Sequence, residues 1–295
     1  MPLTLILKRS TLFQQRYVRA FLRIPLTILF VGVFVIALVR LAPGYGIDER
    51  EVDMRFSAES IEAMRGQPVP FGLAVQSHVG RMLRGEWGTS EIFGAPVERV
   101  LSERWRTTLW SVAMGLIFAW FTALLWAGFG ALYRPLDWTG SAVSISLLSF
   151  PSGLLAMALF LAGAPVAAGI GIAVFPQIHR YVRQLTTEAL NQPCIFAAAA
   201  RGVNRSALVY RHVRALISTQ LLALIGSSAA TAVSSAIPLE ALCGSPGLGQ
   251  LAWRAALGRD LALLLPLVLC MTAAIQLASV ASELLQTSSP EPVAS

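Results

Sequence analysis

The feature that most restricts this chain is the absence of charge from long stretches of it. No Asp, Glu, Lys or Arg occurs in 107–133, 138–178, 215–239 or 261–282. A helix crosses the hydrocarbon core of a bilayer with about 20 residues. Every backbone N–H and C=O in lipid must be satisfied within the protein, so stretches of this kind fold as membrane helices. The hydrophobic fraction of 55% and the charged fraction of 13% are those of a membrane protein and not of a soluble domain. The expected fold is all-α and polytopic, with about six transmembrane helices and a helical external segment after the first span.

The net charge of +7 is carried almost wholly by arginine, with Lys8 the only lysine. Its uneven placement is a topology signal. It is not a nucleic-acid footprint, because basic and aromatic residues do not interleave along one surface. Residues 1–23 hold Lys8, Arg9, Arg16, Arg19 and Arg23 without an acid and read as a cytoplasmic N-terminus. The first span, 24–41, ends at Arg40 without a small-residue cleavage site, which favours an anchor over a signal peptide. Arg40 can snorkel to the headgroups there. Residues 42–106 contain ten acids and eight arginines and form the external segment. Within it, Ser57 can cap a helix ending at Gly66, and apolar residues from Phe71 to Leu83 recur at helical spacing. Pro96 suits the first turn of a helix that runs into the second span. Residues 107–285 make a five-helix membrane core. Its third and fourth spans share 138–178 and reverse near Ala162, Gly163, Ala164 and Pro165, and the fourth ends at Ile178. Residues 286–295 read as a disordered tail. Cys194, Cys243 and Cys270 form no short spacing, so neither a disulfide framework nor a metal site follows. His78, His179 and His212 read as solvated or interfacial.

Between the fourth and fifth spans lies a basic insert, 179–214, with six arginines against Glu188 alone. The positive-inside bias places it in the cytoplasm. Its centre, Phe196 to Arg201, is nearly all alanine, and Gly202 stands where a helix ends in a left-handed cap. Asn204 or Ser206 can cap the helix that follows. Helix, glycine turn, helix projects from a membrane surface and can seat in a groove on another protein. The fifth span carries Ser218, Thr219, Gln220, Ser227, Ser228, Thr231, Ser234 and Ser235, residues that suit helix contacts or a wetted path.

Several separated pieces now match one pattern. They are RLAPG at Arg40–Gly44, GEWGTS at Gly85–Ser90, Pro96 and Val97, RWRTTL at Arg104–Leu109 and LSFPS at Leu148–Ser152. AAARG at Ala198–Gly202, Arg211 with His212, and Glu240 through SPGLGQL to Leu251, followed by Arg259 and Asp260, complete the set. In this order the chain resembles the permease subunits of bacterial ABC importers, in the dipeptide, oligopeptide and nickel branch. The resemblance implies a type I importer permease in the inner membrane with both termini cytoplasmic. It also implies a second permease subunit, two ATP-binding subunits, an extracytoplasmic substrate-binding protein and surrounding membrane lipid as partners, and no nucleic acid. Ala198, Ala199, Ala200, Arg201, Gly202, Arg211 and His212 would couple to the ATPase. Glu240, Pro246, Gly247, Leu248, Gly249 and Asp260 would form the external gate or binding-protein contact. The chain would be no enzyme and hold no cofactor, ATP being bound by the partner; it has no GxxxxGK[ST] phosphate loop. The family's glutamate six residues before the loop glycine is replaced here by Phe196, and its Tyr-Val pair by Cys194 and Ile195. The proline usual in the fifth span falls at Gln220, and the external stretch between the third and fourth spans is nearly absent.

Two other function classes make different demands on the sequence. A membrane-embedded hydrolase needs paired carboxylates, a Ser/His pair or metal ligands within the spans, and the uncharged stretches hold neither acid nor histidine. A membrane anchor or sensor without transport would have a less polar fifth span.

Overall fold

A computed structural model of the chain describes residues 22–38, 41, 80–81 and 84–287. Most of the external segment, including the helices expected at 57–66 and 71–83, and the motif piece at 40–44 apart from Leu41, lie outside the described residues. So do the tail 288–295 and His78.

The described structure is helical. Helix α1 is Leu22–Leu38, α2 is Val97–Leu132, α3 is Arg134–Ser149 and α4 is Ser152–Leu161. Helix α5 is Val166–Leu190, α6 is Pro193–Ala200 and α7 is Arg205–Leu242. Helix α8 is Leu248–Leu257 and α9 is Leu261–Thr287. By length and composition α2, α7 and α9 are able to cross a membrane, and α3 with α4 makes a fourth if that bent pair is one span. The fold is therefore that of a polytopic all-α membrane protein. Two compact units divide it, one containing Arg104–Leu251 and the other the described parts of Pro25–Glu103 with Ala252–Thr272.

In the first unit, the buried alanines Ala119, Ala123 and Ala127 of α2 lie at helical spacing and admit Ile170, Val174, Phe175 and Ile178 of α5. Leu224, Ala232, Ala236 and Leu239 of α7 complete the same core. Small residues let these helices approach closely. A Cβ on Gly171 would stand 2.5 Å from Phe118 Cδ1 and 3.1 Å from the Gly115 carbonyl oxygen. Gly115 faces Ile170 and the Ala167 carbonyl as tightly. Gly226 of α7 likewise meets Ser282 and the Ala278 carbonyl of α9. Gly153, by contrast, has nothing within 4 Å of a Cβ. Among the polar residues of α7, Ser228 is buried and accepts from Trp120 Nε1 at 3.1 Å, while Thr231 and Ser234 donate to carbonyls of their own helix. In the second unit, Val35 and Ile36 of α1 pack on Leu265 of α9.

Two expectations are corrected. Helix α5 does not end at Ile178; it runs through Pro176 and His179 to Leu190. Lipid-depth neighbours re-satisfy the backbone around a proline, and His179 is no solvated residue. It is 1% exposed, hydrogen-bonds through Nδ1 with Ser144 Oγ of α3 at 2.8 Å and stacks on Phe175. A buried, partnered histidine continues a helix core that the charge pattern alone seemed to close. The 138–178 stretch does reverse at 162–165, where Gly163 has φ +63°. A further bend of 103° separates α3 from α4. It falls at Phe150–Pro151, where proline withholds its N–H and pushes the preceding residue to an extended conformation, ψ 124° at Phe150.

Candidate functional site

The basic loop is built on α6. Pro193 occupies the first turn of this helix, where a missing N–H costs nothing. Four alanines extend it, and Arg201 caps it. Gly202 follows with φ +82°. Its N–H donates to the Ala199 carbonyl at 2.9 Å, and that of Val203 to the Ala198 carbonyl at 3.3 Å. This pair of bonds is a Schellman closure. Val203 also packs with the cluster that contains Ala198, the apolar contact that commonly accompanies such a cap. Asn204 then stands at the N-cap of α7 by backbone position, without a side-chain bond.

Beneath the loop, Ile195 and Ala198 of α6 pack with Ala189 of α5 and Leu208, Val213 and Ile217 of α7. The opposite face of α6 is open: Cys194, Phe196, Ala197, Ala199, Ala200 and Arg201 are exposed. Phe196, which stands where the family has glutamate, is 63% exposed. The loop is also tied to its unit from both sides. Arg205 Nη2 donates to the Ala131 carbonyl at 3.1 Å, in the last turn of α2, where cations meet orphan carbonyls favourably. Arg183 makes a two-pronged pair with Asp137 of α3, Nη2 to Oδ2 at 2.7 Å and Nε to Oδ1. Arg211 and His212 fall in a π-turn, Leu208–Val213, and are exposed; such turns in α-helices accompany functional sites. Of the seven residues expected to couple, Ala198 to Gly202 lie on α6 and its closing turn and Arg211 and His212 in the π-turn of α7; Ala198 is buried and the other six are exposed.

The turn between α7 and α8 is arranged around a buried carboxylate. Glu240, in the last turn of α7, is 0% exposed. Its Oε2 accepts from Thr108 Oγ1 at 2.9 Å and from the Gly249 N–H at 2.8 Å. Thr108 Oγ1 in turn accepts the Leu248 N–H at 2.7 Å. Glu240 Oε1 is buried without a hydrogen-bond partner. The RWRTTL and SPGLGQL pieces therefore meet at Glu240, and Arg104 Nη1 adds a bond to Gln250 Oε1 at 3.4 Å. Gly247 lies against the carboxylate, where a Cβ would come within 2.2–2.5 Å of its atoms. At Gly249 a Cβ would come within 2.7 Å of the Ile237 backbone. Both glycines are buried, Leu248 is half-buried and Pro246 is exposed. The outward surface of this turn is thus Pro246 and its neighbours, and Glu240 shapes it from within.

In the second unit Asp260 is also 0% exposed. Its Oδ1 accepts the Leu263 N–H at 3.0 Å, capping α9. Its Oδ2 accepts Ser90 Oγ at 2.5 Å and the Ile92 N–H at 3.3 Å. The GEWGTS piece is held to the start of α9 by this residue, whose role is structural.

Sequence reasoning missed the Arg183–Asp137 and His179–Ser144 pairs and the role of Thr108. Each partner lies tens of residues away, and no local pattern marks it.

Residues 115–289 match the protein family described as the binding-protein-dependent transport system inner membrane component. A glutathione transport system permease protein of Salmonella choleraesuis is 25% identical over 248 residues, covering 76% of this chain and 81% of that protein. A putative peptide permease protein of Brucella suis biovar 1 is 25% identical over 301 residues, covering 87% and 92%. A probable peptide ABC transporter permease protein of Sinorhizobium fredii is 26% identical over 263 residues, covering 78% and 83%.

Proposed function

Since the chain belongs to the binding-protein-dependent transport system inner membrane components, we propose that its basic loop is the docking element through which a separate ATPase subunit drives transport. The chain is a transmembrane permease subunit of a peptide-type ABC importer, a transport component of the inner membrane and not an enzyme. It works within a multi-subunit complex. On our reading that complex contains a second permease, two ATP-binding subunits and an extracytoplasmic binding protein. Six spans cross the membrane, with both termini and the basic loop built on α6 in the cytoplasm. The external turn at Pro246 meets the binding protein.

The observation that carries this reading is the open face of α6. An apolar Phe196 set among alanines, on a helix closed by Gly202 and braced from below, offers a rigid knob to a groove on another protein. Gly202→Val tests it. A β-branched residue at φ +82° carries a strain of about 1–3 kcal/mol, confined to the loop. The expected outcome is normal membrane insertion, weakened co-purification of the ATPase and loss of uptake. Wild-type ATPase association and uptake in this variant would reduce the loop to a connection between spans.

A further inference from the structure

Helix α5 carries a polar stripe that the docking role leaves unused. Gln177, Arg180, Tyr181, Gln184, Thr187 and Glu188 recur at three- and four-residue spacing and so share one face. With Ser141, Ile145 and Leu148 of α3 they line a cavity of about 790 Å³, a size that suits a small ligand. On the proposed topology the stripe lies at membrane depth. Helix α5 runs alongside α2 in the same direction: Ala167 and Ile170 meet Gly115, Gly171 meets Phe118, and His179 meets Trp126. Trp126 precedes Arg134, the first charge after the second span, by eight residues, about 12 Å of helix. Arg180 is therefore set inside the inner leaflet, and Gln177 deeper still.

An arginine at that depth faces water, a partner or a substrate path. The charges around it are unequal. Arg183 is paired with Asp137, whereas no ion pair to Arg180 exists among the described residues. Glu188 accepts one hydrogen bond, from Gln184 Nε2 at 2.8 Å, and lies eight residues further toward the cytoplasm. In the lining of the cavity, Ser141 Oγ is buried without a hydrogen-bond partner.

We infer that this cavity is a subsite for a short zwitterionic peptide, with the C-terminal carboxylate on Arg180 and the amino terminus toward Glu188. The inference rests on the permease reading and gives its path a substrate class. A guanidinium takes a carboxylate through two parallel N–H donors. Eight helical residues separate the two charges by about 12 Å, the span of three to four extended peptide residues at about 3.3–3.6 Å each. Gln177, Gln184 and Ser141 can exchange hydrogen bonds with peptide groups between those ends, without reading side chains, while Ile145 and Leu148 form an apolar wall. An anionic lipid fits less well: with its headgroup on Arg180 its acyl chains would lie against Gln177 and Ser141, leaving their polar groups unmet.

The test uses the full complex in inside-out vesicles, with the three native cysteines replaced and Leu148→Cys as reporter. The probe is trialanine at millimolar concentration, against its C-terminal amide and its N-acetyl form. Trialanine should slow labelling of position 148 by a charged thiol reagent at least fivefold, the N-acetyl form less, and the amide not at all. Arg180→Gln should abolish protection, Arg180→Lys should restore part of it, and Glu188→Gln should weaken protection by trialanine but not by its N-acetyl form. Equal protection by the amide, protection that survives Arg180→Gln, or protection by added phosphatidylglycerol and not by peptide overturns the inference. ATP-driven uptake of a pool of di- to tetrapeptides by the unmodified complex is measured in parallel. Uptake without Arg180-dependent protection sinks this subsite alone, and absence of uptake sinks the permease reading beneath it.

Discussion

At the scale of single residues, the turn between α7 and α8 depends on what a glycine leaves room for. Gly247 was legible as a turn residue from the Pro-Gly pair, but its reason was not. The reason is the Glu240 carboxylate, seven residues back along the chain and folded onto it. Gly247→Ala places a methyl in that carboxylate's space, and overpacking of this kind costs about 1–3 kcal/mol. The thermal midpoint of the purified protein in detergent should fall accordingly. Removing the obstacle tests the cause: Glu240→Ala with Gly247→Ala should lose less than the sum of the single variants, by about 0.5–3 kcal/mol of coupling. Strict additivity would place the constraint elsewhere. Gly202, in contrast, was fully legible, because an alanine run followed by glycine prescribes a left-handed cap from local sequence alone. His179 was misread for the opposite reason. Its partner Ser144 is 35 positions away, and a lone histidine beside arginines resembles a surface residue until the helices are packed.

At the scale of elements, sequence located the helices that are both long and apolar and misplaced the ends of those that are neither. The reading closed the fourth span at Ile178 because the uncharged run ends there. The helix continues because one face of it, Phe175, Ile178, His179 and Val182, is buried against α2 and α3, while the other carries the polar stripe. Glycines in these helices differ in what they do: Gly171 sits tightly against Phe118 and the Gly115 carbonyl, whereas Gly153 meets open space. These two positions make a matched pair. Gly171→Val forces α2 and α5 apart against Phe118 and the Gly115 carbonyl, and should lower the amount of folded protein in the membrane severalfold. Gly153→Val meets open space and should leave the protein level within about 0.5 kcal/mol of stability of wild type, as surface changes do. Quantifying folded protein by gel filtration in detergent separates the two. Equal losses would show that bulk on a membrane helix, not the α2–α5 crossing, sets the outcome.

At the scale of the whole molecule, the question is how many times the chain crosses. Length and composition qualify α2, α7 and α9, with α3 and α4 together as a fourth. Helix α1 is short of a full span, and α5 is made too polar by the stripe from Gln177 to Glu188. Geometry argues for both. Arg23 at the start of α1 lies 3.6 Å from Glu283 near the end of α9, so the start of one helix and the end of the other lie together. Helix α5 follows α2 in direction, and the bond from Arg205 to the Ala131 carbonyl returns the basic loop to the end of α2. If α5 did not cross, the loop would emerge on the side of Gly163, against the arginine bias. Cysteine labelling decides this once the exposed native Cys194 and Cys270 and the half-buried Cys243 are replaced. Ser90 is unsuitable as a reporter, being buried and bonded to Asp260, but Thr89, Ala162 and Pro246 are exposed. Cysteines there should react with a membrane-impermeant reagent added to spheroplasts, and one at the exposed Asn204 should react only after the membrane is opened. Labelling of position 204 in intact spheroplasts would remove α5 from the spans, and with it both the cytoplasmic docking loop and the peptide subsite inside the inner leaflet.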